Sequence, residues 1–248
     1  MKDKVATLEQ CLEHIHDGQT IMFGDLHGEM SAEEIITGML DKGVKDIDAI
    51  AVAGGMVDQG VGRLIAAHRV ASLHTSHIGL NPVAGQQMFD GELKVEFIPQ
   101  GTFTERIHCG GAGLGGCLTP TGVGTSVEEG KQKLTIEGKE YLLELPLHGD
   151  VSLVKAWKGD RYGNLKFRLT GRNCGNSYMS YASDFVIAEV EELVEVGDLG
   201  PDDIDVPAPV VDLVYVRQKE KRIYYPMWKK LRAKAEARAA KTSAHGGE

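Results

Sequence analysis

The first fifty residues alternate apolar runs with amphipathic segments. Apolar side chains recur at helical spacing over residues 7–17, which predicts a first helix. The apolar run Thr20–Phe23 then ends at Gly24, and a second apolar run covers residues 47–53 before a glycine pair. Runs this short, bounded by glycine, are typical of buried strands.

An amphipathic segment lies between those two runs. We expect Ser31 to cap its N-terminus, Glu34 to complete a capping box, and Gly43 to end the helix. The order strand, loop, helix, strand predicts a right-handed βαβ unit in a parallel sheet.

The rest of the chain continues this pattern. Residues 134–143 alternate around Glu137-Gly138-Lys139, which predicts a small hairpin. Further strand candidates are residues 70–73, 93–98, 151–157 and 185–190. We therefore expect residues 1–216 to form one α/β domain, with helices flanking a mainly parallel, twisted sheet.

Charge divides the chain into two unlike parts. The net charge of the 248 residues is −9. Residues 217–241 carry ten Lys or Arg against two Asp or Glu, a local charge of +8, which leaves −17 elsewhere. Residues 217–248 are thus predicted to be a basic, partly helical extension. It could bind nucleic acid or anionic lipid, but we favour docking on an acidic partner or on the acidic body of this protein.

Composition excludes several classes of protein. An acidic body argues against a dedicated nucleic-acid binder. No apolar run reaches the length of about 18 residues that a membrane span needs. The N-terminus has no apolar signal segment, so a cytoplasmic location is expected. The four cysteines form no CxxC pair, and a zinc ribbon is not predicted.

Several short motifs suggest chemistry that their surroundings do not support. Residues 24–28 match the Gly-Asp-x-His-Gly pattern of metallophosphoesterases, but no second set of metal ligands follows. Residues 111–116 contain GxGxxG, but Pro120 and Gly122 interrupt the helix that a dinucleotide site needs. The pair His74 and His77 falls where a strand ends and a loop begins, so polar loop contacts are expected. His108, Cys109 and Cys117 could form a cluster, although a small buried cysteine is the more frequent outcome.

Longer motifs occur in a fixed order along most of the chain. They are Ser76-His77-Ile78-Gly79, Pro99-Gln100-Gly101-Thr102, Gly110-Gly111-Ala112-Gly113, residues 118–125, residues 138–144, Tyr162-Gly163-Asn164-Leu165 and Arg172-Asn173. Together they resemble the α subunit of family I CoA-transferases of the acetate/acetoacetate type. The resemblance covers roughly residues 1–216 and implies the α/β fold of that family.

The resemblance implies an activity and a partner. Such enzymes move CoA from a short-chain acyl-CoA to a carboxylate, through a covalent glutamyl-CoA intermediate. In two-subunit members the glutamate lies on the β subunit, in a Ser-Glu-Asn-Gly motif. This chain contains no Glu-Asn-Gly. We therefore expect no nucleophile here, a β-subunit partner in an α2β2 assembly, and acyl-CoA and carboxylate substrates. CoA would be a substrate, and no cofactor or metal is expected.

Candidate site residues follow from the same resemblance. Gln100 corresponds to a glutamine near the catalytic glutamate, and an amide can donate to a developing oxyanion. Residues 110–130 hold eight of the 31 glycines, which predicts a ligand and interface loop. The further substrate contacts expected are Gly110, Gly111, Gly113, Asn164 and Asn173.

The loop after the first long strand departs from the family. The usual pattern is Gly-Gly-Phe-x-Gly-x-Gly-x-Pro, whereas residues 24–32 keep only the glycines at 24 and 28. The positions expected to line the substrate here are Gly24, Asp25, His27 and Gly28. Charged groups there would be unfavourable beside an oxyanion unless they are paired or turned away, so we expect an altered acyl specificity. The pattern at 172–176 departs as well, since Cys174-Gly175-Asn176 replaces Phe-Asn-Pro.

Two alternatives remain open on the sequence alone. A relative of the same fold could hydrolyse acyl-CoA or cleave a C–C bond, with His27 or Glu29 as general base. A non-catalytic binding or scaffold subunit is the other alternative, and the basic extension is its direct support.

Overall fold

A nine-stranded sheet forms the centre of the domain in the computed structural model, which describes residues 2–26, 30–172 and 175–218. The strands of the chain are β1 Val5–Ala6, β2 Thr20–Phe23, β3 Ile47–Ala51, β4 Val70–Thr75, β5 Lys94–Phe97, β6 Cys117–Thr119, β7 Lys133–Ile136, β8 Lys139–Glu144, β9 Gly149–Asp160, β10 Leu165–Lys166, β11 Ser183–Val194 and β12 Leu213–Val216. The order in the large sheet is β1-β12-β11-β9-β2-β3-β4-β5, and every neighbouring pair in this order is parallel. Strand β10 pairs antiparallel with β9, and β6-β8-β7 form a separate antiparallel sheet.

Helices cover the two faces of the large sheet. They are α1 Leu8–Leu12, α2 Glu33–Lys42, α3 Val61–Ala66, α4 Pro82–Phe89, α5 Gln100–Ala112 and α6 Asn176–Tyr181. Single 3₁₀ turns cover Ser126–Glu128, Leu169–Arg172, Pro201–Asp203 and Ala208–Val210. Apolar side chains of α1 to α4 pack on one face, against alternate residues of β2, β3 and β4. Phe103 and Ile107 of α5 and Met179 of α6 pack on the other face, against Met22 and Ile50.

The predicted α/β class and the mainly parallel sheet are confirmed. All the predicted strands are present, and β9 and β11 extend beyond the predicted segments to twelve residues each. The hairpin of β7 and β8 is also confirmed. Its two turn residues, Glu137 and Gly138, both have positive φ, as a two-residue type I′ turn requires.

The first helix ends earlier than predicted and the second begins differently, whereas Gly43 ends α2 as predicted. Helix α1 covers only part of residues 7–17 and ends at Leu12. The Lys42 ammonium group then donates to the carbonyls of Leu12 and Ile15. Ser31 does not cap α2: the cap residue is Ala32, which has no side-chain cap bond. The Ser31 hydroxyl instead donates to Asp25, so the capping box predicted with Glu34 is wrong.

Helix α5 replaces the first part of the predicted glycine loop. Gly110 and Gly111 lie in its last turn, and Gly113 ends it with a φ of 67°. A Cβ on Gly110 would lie 2.9 Å from the carbonyl carbon of Leu147 and nearer still to its oxygen, and one on Gly111 would lie 3.0 Å from the Tyr181 oxygen. These glycines therefore allow α5 to pack against backbone, which glycine-rich sequence alone does not distinguish from a loop.

The predicted basic extension lies outside the described residues apart from residues 217 and 218. Its boundary with the α/β domain stays a prediction. Among the described residues, no helix is long and apolar enough to cross a membrane.

We expect Gly110→Ala to lower the free energy of unfolding by about 1–3 kcal/mol, because the added methyl overlaps the Leu147 carbonyl. Chemical denaturation monitored by circular dichroism measures this change. Gly85→Ala in α4 is the matched control, since its Cβ would meet nothing within 4 Å. If both variants unfolded alike, close packing at Gly110 would be the wrong explanation for this glycine.

Candidate functional site

The order in which strands are added to the large sheet reverses between β2 and β9. From β2 the strands proceed to β3, β4 and β5 on one side, whereas from β9 they proceed to β11 and β12 on the other. Ligands of open parallel sheets bind in the crevice that forms at the carboxyl ends of strands at such a point. The segments beyond β2 and β9 are therefore the candidate site.

Gly24 is the first residue beyond β2, and an asparagine covers it. The Gly24 N–H donates to the Leu153 carbonyl of β9 at 3.1 Å. A Cβ on Gly24 would lie 2.9 Å from Cγ of Asn176 and nearer still to its Oδ1. That Oδ1 accepts a hydrogen bond from the N–H of Lys155 at 2.8 Å. The amide therefore provides an acceptor for β9 at the point beyond the end of β2.

Asn176 also carries a polar atom with no partner. The side chain is completely buried, and Nδ2 has no hydrogen-bond partner among the described residues. Such a donor is costly to bury and is uncommon outside functional sites. The sequence marks position 176 only as a departure from the family pattern and does not identify this amide.

Asp25 is completely buried and accepts a hydrogen bond from the Ser31 hydroxyl. Gly60 packs against the pair, since a Cβ there would lie 3.3 Å from the Asp25 carboxyl carbon and nearer still to oxygens of both side chains. The carboxylate is thus bound within the protein, which is one of the arrangements that the sequence allowed for a charge in this loop. His27 and Gly28 lie outside the described residues.

Gln100 begins α5 at the same edge of the sheet, because it follows the carboxyl end of β5. It is exposed, and its side-chain amide forms no hydrogen bond with the described part of the chain. An exposed amide at this edge can bind a ligand that arrives from solvent.

The candidate glycines Gly110, Gly111 and Gly113 lie at the other end of α5 from Gln100. Gly110 and Gly111 contact the backbone just before β9 and β11 begin, which is the opposite edge of the sheet. Ten residues of helix place them about 15 Å from Gln100 along α5. Gly113 ends that helix in a left-handed conformation, so the structure gives two of these glycines a role in helix packing and the third a role in helix termination.

Asn164 is also used internally. Its Nδ2 donates to Asp160 at 2.7 Å, and its Oδ1 accepts the N–H of Ala208 at 2.9 Å. The amide holds the turn between β9 and β10, whereas its expected contact with substrate stays a prediction. Asn173 lies outside the described residues.

Buried charges lie beside the loop on the face that α2 covers. Lys155 of β9 forms an ion pair with Glu191 at 2.7 Å, and its side chain is 2% exposed. Glu189 is completely buried, and one carboxylate oxygen accepts the N–H groups of Glu34 at 2.9 Å and Ile35 at 3.3 Å. Burial raises the pKa of Glu189 to about 7. The sequence pattern does not single out any of these groups, because their alternation within β9 and β11 resembles that of surface residues.

His74 of the HxxH pair has a structural partner on each side. Its ring nitrogens lie 3.0 Å from Asp48 and 2.5 Å from Glu96, on the neighbouring strands β3 and β5. Hydrogen bonds to these carboxylates raise the pKa of His74 to about 9. Glu96 also accepts a hydrogen bond from Arg106 of α5 at 2.7 Å. The contacts therefore connect three strands to the helix that begins with Gln100.

The other sequence motifs that lie within the described residues form no recognised centre. Within the described ranges, no group of three or more His, Cys, Asp or Glu side chains is placed to hold a metal ion. Cys109 is buried in α5 and Cys117 lies in β6, and the pKa of Cys117 is raised to about 11 by burial and by Cys109. The GxGxxG segment begins in the last turn of α5 rather than at a helix N-terminus.

Comparison with known proteins decides the family. A family model described as Coenzyme A transferase matches residues 5–217. The chain belongs to the coenzyme A transferase family. The resemblance to α subunits of its family I members is thereby confirmed.

Two relatives and one solved structure define this likeness. The chain is 47% identical over 221 residues to the alpha subunit of acetate CoA-transferase from Escherichia coli strain K12, covering 89% of this chain and 100% of the relative. It is 39% identical over 214 residues to the alpha subunit of acetoacetyl-CoA:acetate/butyrate CoA transferase from Clostridium acetobutylicum, covering 86% and 98%. The crystal structure of an acyl-CoA transferase from Escherichia coli O157:H7 covers 90% of this chain with a TM-score of 0.79 and 20% identity. That identity shows the fold alone, and this chain spans 49% of the solved chain.

We expect Gly24→Ala to disrupt the candidate site, because its methyl needs the space of the Asn176 amide. Displacing that amide also removes the acceptor for Lys155 N–H, so unfolding free energy should fall by about 1–3 kcal/mol. Thermal and chemical denaturation measure this loss. Gly85→Ala again serves as the control, and equal stability of the two variants would contradict the close approach at Gly24.

The His74 pair predicts a pH dependence of stability. A folded-state pKa near 9, above the usual 6.5, gives stability that is complete below pH 6.5 and is lost as pH rises through 9. We expect His74→Gln to remove about 1–2 kcal/mol at pH 6, after allowance for partial exposure, and much less at pH 9.5. Urea denaturation at both pH values measures the difference from the unmodified protein. His108→Gln, at an exposed position of α5, is the control, and a pH-independent loss for His74→Gln would contradict this account.

Proposed function

We propose that this chain is the α subunit of a heteromeric CoA-transferase. The proposal rests on the 47% identity to the alpha subunit of acetate CoA-transferase, an alignment that includes the whole length of that relative. The partner is a β subunit, and the substrates are a short-chain acyl-CoA and a carboxylate of the acetate, acetoacetate or butyrate type. We further propose a cytoplasmic α2β2 assembly that uses CoA as substrate and needs no cofactor.

The covalent step belongs to the partner in this proposal. A β-subunit glutamate attacks the acyl-CoA thioester, forms an acyl-glutamyl anhydride and releases CoA as thiolate. The thiolate then attacks the glutamyl carbonyl, which releases the acyl group as a carboxylate and leaves glutamyl-CoA. The acceptor carboxylate reverses these two steps. The absence of Glu-Asn-Gly from this chain supports the division of labour between subunits.

The α chain would contribute the oxyanion donor and the walls of the crevice. Gln100 has an exposed amide at the edge where substrates are expected, and an amide can donate without changing its own charge. Asp25 is bound to Ser31, so its effect on acyl specificity would act through the shape of the loop. Asp25→Gly should then change the ranking of acyl-CoA donors, and an unchanged ranking would remove this part of the proposal.

The test uses the chain co-expressed with its β subunit. The pair should transfer CoA from acetoacetyl-CoA or butyryl-CoA to acetate, and borohydride should trap a glutamate on the β chain. The α chain alone should be inactive. Gln100→Ala should lower kcat by about 100-fold, as loss of an oxyanion donor does. Gln86→Ala in α4 is the matched control, because that glutamine binds only Asp90 of its own helix.

Three results would overturn the proposal. They are turnover by purified α chain, release of free CoA without an acceptor, and no trapped glutamate in an active pair. The second result would support the hydrolase alternative of the same fold.

A further inference from the structure

Glu189 occupies an unusual place for a carboxylate. It lies in β11, paired directly with Lys155 of β9, on the sheet face that α2 covers. Its Oε2 bonds to two backbone N–H groups, and its Oε1 has no hydrogen-bond partner in the described part of the chain. No step of the proposed chemistry uses it.

The carboxylate caps a helix from a distant strand. Helix α2 begins after Ala32, which has no side-chain cap, and the N–H groups of Glu34 and Ile35 would otherwise lack a partner. Glu189 supplies that partner from 154 and 155 residues away. A serine or aspartate at position 32 could cap the helix locally without burying a charge in the sheet.

The surroundings make this cap costly. Burial raises the pKa of Glu189, and the nearby Glu34 carboxylate raises it further. The hydrogen bonds from the N–H groups of Ile35 and Glu34 lower this pKa, and Lys155 lowers it less, since that ammonium group pairs at 2.7 Å with Glu191. The other groups that face Glu189 keep their protons. They are Cys11 of α1, whose thiol pKa burial raises to about 12, and Tyr215 of β12, whose hydroxyl donates to Glu34 at 2.6 Å and whose pKa is raised.

The cap holds one end of the candidate site. Gly24, the first residue after β2, donates its N–H to Leu153 of β9, and residues 30–32 lead directly into α2. Strand β9 therefore positions Gly24, while β11 helps to position α2 through Glu189. Other contacts also hold the start of α2, since Glu33 binds Gly60 and Arg63 and Glu34 accepts a hydrogen bond from Tyr215.

We propose that Glu189 is a positioning residue for CoA transfer, because its bonds to the first turn of α2 help to place residues 30–32, which lead into that helix beside the crevice. The inference rests on the proposed function. It predicts that a neutral substitute disturbs turnover more than it disturbs folding, since the carboxylate is retained at a cost to stability.

The test compares Glu189→Gln with Glu192→Gln in the co-expressed pair. Glu192 lies in the same strand but pairs with Lys158 on the exposed side. We expect Glu189→Gln to lower kcat by about tenfold or more, as small misplacements of a site do, with little change in the KM of the acyl-CoA. The pH profile of kcat should also lose an inflection near pH 7 that the unmodified pair and Glu192→Gln retain.

Stability separates positioning from ordinary packing. A raised folded-state pKa means that Glu189 stabilises the fold below its unfolded pKa and that this contribution is lost as pH rises through 7. The melting temperature of Glu189→Gln relative to the unmodified pair should therefore rise between pH 5 and pH 8. A lower melting temperature at both pH values, with kcat unchanged, would assign Glu189 to packing and overturn the inference.

A second variant and a hydrogen-exchange measurement test the inference independently of the turnover of Glu189→Gln. Glu189→Asp retains a carboxylate with a shorter reach, so it should recover part of kcat, and this holds even if Glu189→Gln fails to assemble. Hydrogen exchange at residues 33–36 should be faster in Glu189→Gln than in Glu192→Gln whether or not the pair transfers CoA. Unchanged exchange would overturn the inference and leave the proposed function intact. An inactive unmodified pair with faster exchange in Glu189→Gln would overturn the function, and the inference with it, while the cap on α2 would stand.

Discussion

The parallel pairing of β2 with β9 is the constraint on which the rest of this structure depends. Strand β2 ends at Phe23, whereas β9 continues to Asp160, so the ladder between the two strands stops beyond Gly24 and Leu153. A parallel ladder that stops in the middle of a sheet leaves N–H groups on β9 in need of partners. Asn176 supplies one of them through Lys155, and it can do so only because residue 24 has no Cβ. The crevice and the glycine beside it are therefore consequences of topology.

Charge buried on the faces of the sheet follows from the same arrangement. Strands β9 and β11 are long enough to pass beyond their neighbours, and the residues near that edge include Lys155, Glu189 and Glu191. A buried charge persists only when other groups replace its hydration. Here the replacements are an ion pair within the sheet and the first-turn amides of α2. The helix thereby acquires its cap, and the sheet acquires partners for a carboxylate that is otherwise costly to bury.

Local patterning predicted the central strands well because short apolar runs bounded by glycine have few other structures available. It failed at α5, where Gly110, Gly111 and Gly113 suggested a loop. Glycine favours loops by its conformational freedom, but it also favours helices that pack closely against backbone, and only the position of Leu147 distinguishes the two. It failed at Ser31 for a similar reason, since the hydroxyl binds Asp25 and the cap comes from another strand. Contacts between residues 155 positions apart leave no periodic signal in a sequence. The family resemblance, and not patterning, pointed to Gln100 and Gly24, which lie at the carboxyl edge of the sheet and whose contact with substrate stays a prediction. Asn176 lies at a position where the family pattern is not followed.

The unusual residues of the site fit one another, which bears on how the loop came to differ from its family. A carboxylate at position 25 needs a donor, which Ser31 provides, and it needs room, which Gly60 provides by lacking a Cβ. An asparagine at position 176 needs the space above Gly24 and provides an acceptor for Lys155 in return. Each substitution made alone would leave a buried polar group without a partner or force two groups into one volume. Groups this close are not additive in their effects on stability. The described residues of this site are therefore best understood as a single alternative packing, in which Asp25 accepts a hydrogen bond from Ser31 inside the domain.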